Sequence, residues 1–291
     1  MKVIRGISEL RAELAGRDRV GFVPTMGYFH EGHLTLMRQA KAACGYCAVS
    51  IYVNPLQFGP SEDLAKYPRD EQRDLELAES VGVDVVFAPF DDQMHPPTTT
   101  KVITSKVSEL WEGQHRPGHF DGVATIVAKL FNIVQPSDAF FGTKDLQQFA
   151  VVSQLIDDLA FPIKLHACET VREPSGLAMS SRNSYLTAEQ RADAAKLYEI
   201  LTAVASELRA GSPVNAAIMQ GHRVLHDSGF KIDYLACVDA RTMQNITEIS
   251  GTARVIAAVR FCGVRLIDNV QVLNSQQNLK LALTNSENVF G

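Results

Sequence analysis

The chain has 291 residues, 46% of them apolar and 21% charged, with a formal net charge of −5. That is enough for one large domain or two modest ones around a substantial core, with a composition ordinary for a soluble globular protein. The negative charge argues against a non-specific nucleic-acid binder, and any triphosphate site must be locally basic against that field. No leader-like segment and no apolar run long enough to cross a bilayer occurs, which predicts a cytoplasmic protein with no membrane partner. The five cysteines, Cys44, Cys47, Cys168, Cys237 and Cys262, form no disulfide framework. Cys44 and Cys47 have C-x-x-C spacing, but no second pair completes a zinc site, and they read as small buried apolar residues.

In chain order, Val20 to Val23 predicts a buried strand, with Pro24 marking its end because proline cannot donate to a ladder. Leu34, Met37, Ala40 and Ala43 then recur at helical spacing. Ala48 to Val53 predicts a second strand of the parallel, two-sided kind, followed at its carboxyl end by Asn54-Pro-Leu-Gln57-Phe-Gly59. A polar helix from Asp70 to Val81 and a strand from Val83 to Phe87 follow, then a loop or lid approach over 91–101 with Pro96-Pro97. Apolar residues at 123, 126, 127, 130, 131 and 134 predict a helix over Phe120 to Val134. A strand from Ala139 to Phe141 runs into Gly142-Thr-Lys-Asp145, then a helix to about Leu159 and a strand from Ile163 to Ala167.

This alternation predicts an α/β fold with a doubly wound, Rossmann-like parallel sheet over residues 1–175. The pattern then changes. Helical stretches at Ala188 to Arg209 and Val214 to Ser228 precede strands near Ile232 to Val238, Ala253 to Phe261 and Leu266 to Leu273. They predict a smaller α+β C-terminal domain over 176–291, with a polar tail from about residue 275.

Three stretches carry chemistry. In Met26-Gly27-Tyr-Phe-His30-Glu-Gly32-His33, glycines allow backbone to approach a ligand and two histidines one helical turn apart can face one anion at a helix start. His-Glu-Gly-His is not the zinc-protease pattern, whose histidines are spaced by four. Capping or solvated histidines are the plainer alternative. After the strand at 139–141, Lys144 offers a compact cation for a phosphate, and Asp145 can organise a ribose, a cation or the helix start. Met179-Ser180-Ser181-Arg182-Asn183 offers two hydroxyls and a guanidinium suited to triphosphate oxygens. Its alternative is a helix cap by Asn183 and Ser184, which leaves Arg182 unexplained.

Together these stretches resemble the H-x-G-H signature and the basic mobile loop of the class I adenylate-forming superfamily. More specifically, Pro24-Thr-Met-Gly27 with His30-Glu-Gly-His33, Val53-Asn-Pro-Leu-Gln-Phe-Gly59, Tyr67-Pro-Arg69, Arg116-Pro-Gly-His-Phe120, Lys129-Leu-Phe-Asn132, Gly142-x-Lys-Asp145 with Gln147-Gln148, Val171-Arg-Glu173, Gly176 to Asn183 and Arg265-Leu-Ile-Asp-Asn269 resemble the pantothenate synthetase family. The match runs in order over about the first 270 residues.

The resemblance implies an ATP-dependent ligase joining pantoate to β-alanine through a pantoyl adenylate, with release of AMP and pyrophosphate. It implies ATP contacts at Met26, Gly27, His30, Gly32, His33, Gly142, Thr143, Lys144, Asp145, Val171, Met179, Ser180, Ser181 and Arg182. Catalytic roles fall on His33, His30, Lys144 and Arg182. Gln57 and Gln148 would hold pantoate, Asn54 would shape that pocket, and Ile126 and Val127 would meet the geminal methyls. Mg²⁺ would accompany ATP with no protein ligand named, and the chain would be a homodimer. Three places depart from the family pattern: Tyr28-Phe29 replaces a smaller pair and could narrow the approach to the turn, and Thr143 and Ser175 replace more polar residues. A nucleotidyltransferase sharing H-x-G-H, which keeps the nucleotide on its product, is the main alternative. An aminoacyl-tRNA synthetase is disfavoured by the acidic chain, and a binding protein without turnover by the full set of site residues.

Overall fold

The computed structural model describes residues 1–60, 62–94 and 100–273. Part of the expected lid approach over 91–101, including Pro96-Pro97, and the tail expected from about 275 lie outside the described residues. Within them the chain forms β1 (Lys2–Ile4), α1 (Ile7–Leu14), β2 (Gly21–Thr25), α2 (Glu31–Cys44), β3 (Cys47–Ile51), α3 (Glu71–Ser80), β4 (Val85–Phe87), α4 (Asp91–Met94), α5 (Trp111–His115), α6 (His119–Val134), β5 (Asp138–Gly142), α7 (Leu146–Asp158) and β6 (Lys164–Cys168). There follow α8 (Ala188–Ala194), α9 (Lys196–Arg209), α10 (Val214–Asp227), β7 (Lys231–Asp239), β8 (Ala253–Phe261) and β9 (Val264–Gln271).

The first six strands make one parallel sheet in the order β1-β4-β3-β2-β5-β6. The chain winds outward from β2 in one direction and then returns to start β5 on the other side. The doubly wound expectation therefore holds. β1 and α1 have no counterpart in the sequence reading, because a three-residue strand leaves too little periodicity to see.

Each face of the sheet has its own core, set by the pleat. Phe22 points to α6, where its ring meets Phe131 edge-on at 6.5 Å, and Phe131 also packs on Phe141 and Phe161. Val23, the next residue, points to the opposite face with Phe29, Leu34, Met37 and Ala78 from the α2 and α3 side. The helix α6 is buried on nearly every side, which its almost uninterrupted apolar sequence requires.

The remaining strands form a separate antiparallel sheet, β7-β8-β9. Its core is supplied by Leu197, Leu201, Val204 and Leu208 of α9 and by Leu225 of α10 against Val255, Ala257 and Val259. The stretch expected as one helix over Ala188 to Arg209 is two, parted at Ala195, whose carbonyl accepts the Tyr198 N–H in a tighter turn. By internal contacts the chain divides into Met1–Thr143 with Val151–Val171, and Lys144–Ala150 with the chain from Arg172 onward. That division falls four residues before the expected 175/176 boundary and assigns Lys144 to Ala150 to the C-terminal unit.

Candidate active site

The strand order reverses between β2 and β5, and ligands of open α/β sheets bind outside the carboxyl ends of the strands at such a point. The two strands pair only at Gly21 with Asp138 and Phe22 with Ala139, so they part toward those ends. Pro24 accounts for this. Neighbouring residues of a central parallel strand aim their peptide groups alternately at the two flanking strands. Gly21 N–H bonds the Tyr46 carbonyl on the β3 side, and the Val20 carbonyl accepts from Asp138 on the β5 side. Pro24 therefore faces β5, and its missing N–H is the donor that would have extended that ladder. The expected strand end at Pro24 is corrected: β2 continues to Thr25, paired with β3, while its pairing with β5 ends at Phe22.

Beyond β2, Gly27 (φ +81°) and Tyr28 (φ +52°) turn the chain into α2. His30 is the N-cap. Its Nδ1 accepts the Gly32 N–H at 3.1 Å, and His33 Nδ1 accepts the His30 N–H at 3.4 Å. The two rings thus take two of the backbone N–H groups that a helix start could otherwise offer to an anion. Capping and ligand contact are compatible here, however. A ring whose Nδ1 accepts carries its proton on Nε2 when neutral, which places a donor nitrogen of each ring on the edge away from the backbone. The rings lie side by side, 4.1 Å between centroids. Phe29 does not narrow the approach: it is 1% exposed in the core, and its ring lies 5.5 Å from that of His33. Tyr28 turns toward α3, where the Arg73 guanidinium lies 5.5 Å from its ring centroid.

After β3, the 3-10 turn Pro55–Gln57 carries the expected amide. Asn54 is buried, and its Nδ2 donates to Gln57 Oε1 at 3.0 Å and to the Gly122 carbonyl at 3.1 Å. An amide oxygen held by Asn54 leaves Gln57 Nε2 turned the other way, 3.2 Å from the Met26 sulfur. So Met26 and Gln57 meet, and Asn54 ties Gln57 to the start of α6. From the other side, Arg116 pairs with both oxygens of Glu62 at 2.7 Å and donates to the Gln57 carbonyl at 3.3 Å. His119 joins the same carbonyl at 2.7 Å through Nδ1, which must be the protonated nitrogen, leaving Nε2 to accept from Arg116 at 3.0 Å. Burial and the adjacent guanidinium push the His119 pKa down to about 4, so the ring is neutral. Arg116, His119 and Glu62 received no role from sequence, although Arg116-Pro-Gly-His-Phe120 stood out as a motif. Arg116 and His119 act on a carbonyl some sixty residues away, and Glu62 acts through Arg116. Ile126 and Val127 are both 5% exposed on α6.

The other expected residues divide between the two units. Gly142 ends β5, and the buried Thr143 donates its hydroxyl to the Cys168 carbonyl at 3.2 Å. Val171 closes the N-terminal unit. In the C-terminal unit, Lys144 Nζ lies 3.7 Å from Asp145, and its backbone carbonyl accepts from Asn269 Nδ2 at 3.1 Å. Gln148 belongs to the same segment. Ser180 Oγ accepts the Arg182 N–H at 3.3 Å and caps the turn Ser181–Tyr185, so this hydroxyl has a structural use. Asn183 and Ser184 do not cap the following helix, as the alternative had it; Thr187 does, in a capping box with Gln190. Asn183 is buried and donates to Glu173 and to the Ala178 carbonyl, fixing the two ends of the loop that carries Met179. Arg172 pairs with both oxygens of Asp268 at 2.6 and 2.9 Å.

A parallel sheet whose order reverses between β2 and β5, with a helix capped by paired histidines following β2, defines a Rossmann-like α/β protein. The profile of the pantoate-beta-alanine ligase family matches residues 2–271. Pantothenate synthetase of Chloroflexus aurantiacus is 48% identical over 278 residues, covering 92% of this chain and 97% of that protein. The crystal structure of the Thermus thermophilus enzyme superposes with a TM-score of 0.91 at 46% identity, covering 94% of this chain and all of the other. The pantoate-beta-alanine ligase of Francisella tularensis, solved in complex with beta-gamma ATP and beta-alanine, gives 0.80 at 32% identity, covering 94% and 98%. The chain belongs to the pantoate–β-alanine ligase family.

Proposed function

We propose that this protein condenses pantoate with β-alanine at the expense of ATP, giving pantothenate, AMP and pyrophosphate through a pantoyl-adenylate intermediate. Membership of the family carries the reading, and the switch point between β2 and β5, where open α/β sheets bind ligands, supports it. A carboxylate is a poor electrophile toward an amine, and adenylation supplies the leaving group. In the first step a pantoate carboxylate oxygen bonds to the α-phosphorus as the bond to pyrophosphate breaks. In the second the β-alanine nitrogen bonds to the acyl carbon, the bond to AMP breaks, and the amine loses a proton.

The first step calls for positioning and for charge stabilisation on the departing pyrophosphate. In our reading the Nε2–H groups of His30 and His33 donate to phosphate oxygens, with Met26, Gly27 and Gly32 lining the nucleotide. Lys144 and Arg182 supply positive charge, and Gly142, Thr143, Asp145, Val171, Met179, Ser180 and Ser181 complete the nucleotide contacts. Gln57 Nε2, aimed by Asn54, and Gln148 hold pantoate, with Ile126 and Val127 against its methyls. Neutral amides suit that task, because a fixed cation would over-stabilise a carboxylate that must act as nucleophile. Mg²⁺ accompanying ATP would be held by phosphate oxygens and water, with no ligand from the chain, and would supply positive charge against the leaving pyrophosphate. Among the described residues no group of three His, Cys, Asp or Glu is placed to hold a metal on its own.

The mechanistic kinship with other H-x-G-H adenylate-forming enzymes, a cytoplasmic location, a homodimer and a domain division near residue 175 belong to the same proposal. No helix among the described residues is long and apolar enough to cross a membrane. ATP–pyrophosphate exchange tests the reading. Exchange that requires pantoate and proceeds without amine is expected. A pantothenate-forming enzyme that releases ADP would overturn it.

A further inference from the structure

Asp74 sits in the middle of α3, one turn before Ala78 on the inward face of that helix, and is 1% exposed. A buried carboxylate has to be hydrogen-bonded. Its partners are two consecutive backbone groups of the turn between β2 and α2: Tyr28 N–H donates to Oδ2 and Phe29 N–H to Oδ1, each at 2.6 Å. The Arg73 guanidinium lies further off, at 3.9 Å.

The turn needs such support. Tyr28 holds φ at +52°, a left-handed backbone that a bulky side chain adopts only where its surroundings over-determine it. Gly27 is fitted to the same carboxylate, since a Cβ there would lie 2.9 Å from Oδ2 and φ is +81°. Two residues beyond Tyr28 stands His30, whose backbone and ring set up the paired imidazoles. The carboxylate thus fixes the point at which the chain enters α2, immediately ahead of the groups assigned to the phosphates.

We propose, resting on the functional reading above, that Asp74 is a positioning residue for the adenylation step. Both of its carboxylate oxygens accept backbone N–H groups of the turn. It holds Tyr28 in the left-handed conformation, so that His30 and His33 present their Nε2 edges together. Nothing in the sequence marks it except a carboxylate on a helical stripe that otherwise turns inward.

The test compares wild type, Asp74→Asn, Tyr28→Gly and the double variant by pantoate-dependent ATP–pyrophosphate exchange, thermal unfolding and ¹⁵N NMR of the histidine rings. The amide can accept one of the two N–H bonds but not both. Asp74→Asn is expected to lower the exchange kcat about ten- to hundredfold, with the KM for ATP changed by no more than about threefold. It should also move the His30 and His33 ring signals away from the Nε2–H tautomer. Glycine adopts the left-handed turn without help, so adding Tyr28→Gly to the Asp74→Asn variant should recover kcat at least about fivefold. Should the single variant fail to fold, the double variant is compared with Tyr28→Gly alone and is expected several-fold slower, with the ring signals displaced.

Lower thermal stability with wild-type kcat and wild-type ring signals would overturn the proposal and leave Asp74 a stabilising residue only. Stability regained by Tyr28→Gly without any regain of kcat would overturn it too. A wild-type protein that shows no pantoate-dependent exchange sinks the functional reading instead; the ring signals then decide whether Asp74 orients the pair.

Discussion

His119 shows how one side chain can be fixed by its surroundings to a single protonation state and a single tautomer. Its Nδ1 proton is committed to the Gln57 carbonyl and its Nε2 lone pair to Arg116, inside a buried site. The folded protein therefore holds the ring neutral down to about pH 4, whereas in the unfolded chain it takes a proton near pH 6.5. Between those values the unfolded state binds a proton that the folded state refuses, so stability falls as the pH is lowered through this window, by about 3 kcal/mol at most. His119→Asn keeps a donor near the Gln57 carbonyl and removes the titration. Unfolding free energies at pH 4 to 6.5 should then slope less steeply in the variant than in the wild type. Equal slopes would contradict the assigned tautomer and its burial. At this scale the sequence disclosed residues whose type and local spacing carry the signal. His30 and His33 are legible because they are three apart on one helix start. His119 and Asp74 are not, because each acts on a backbone group that only the fold brings near.

Packing between elements decides where Gln57 points. The start of α6 presses on the turn Pro55–Gln57 so closely that a Cβ on Gly122 would stand 2.2 Å from the Leu56 carbonyl oxygen. Only glycine permits that approach, and it lets the Gly122 carbonyl accept from Asn54. Gly122→Ala should push helix and turn apart, lowering stability by about 1–3 kcal/mol as overpacking does. It should also raise the KM for pantoate more than that for ATP, because the amide of Gln57 moves while the histidine turn does not. A variant that is less stable but binds pantoate as well as the wild type would remove Gln57 from the pantoate site. Strands and helices with strong apolar patterns, such as β3, α6 and β8, were readable from sequence nearly to their ends. Pro24 was misread, since a proline in a central strand normally argues against continuation. Here the missing N–H faces β5 and ends only the ladder on that side, and one-sided pairing with β3 was enough to carry β2 to Thr25.

For the whole molecule, the family and the two-part composition were legible, whereas the path of the chain between the parts was not. Lys144 to Ala150 follows β5 directly and was expected with the parallel sheet, yet its contacts lie with the C-terminal unit. Asn269, 125 residues away, bonds the Lys144 carbonyl, and a pairing at that distance leaves no local pattern. The motifs around Arg172 and Asn269 turn out to be partners, joined by the Arg172–Asp268 pair with the guanidinium stacked 3.6 Å over the Tyr198 ring. The central claim is that one chain activates a carboxylate as its adenylate and then passes the acyl group to an amine. Its most direct test is a reaction with ¹⁸O in both carboxylate oxygens of pantoate, unlabelled ATP and β-alanine, with the products analysed by mass spectrometry. Attack on the α-phosphorus predicts that AMP carries one ¹⁸O and pantothenate keeps one in its new amide. Label in inorganic phosphate alongside ADP, or AMP with no label, would contradict the account.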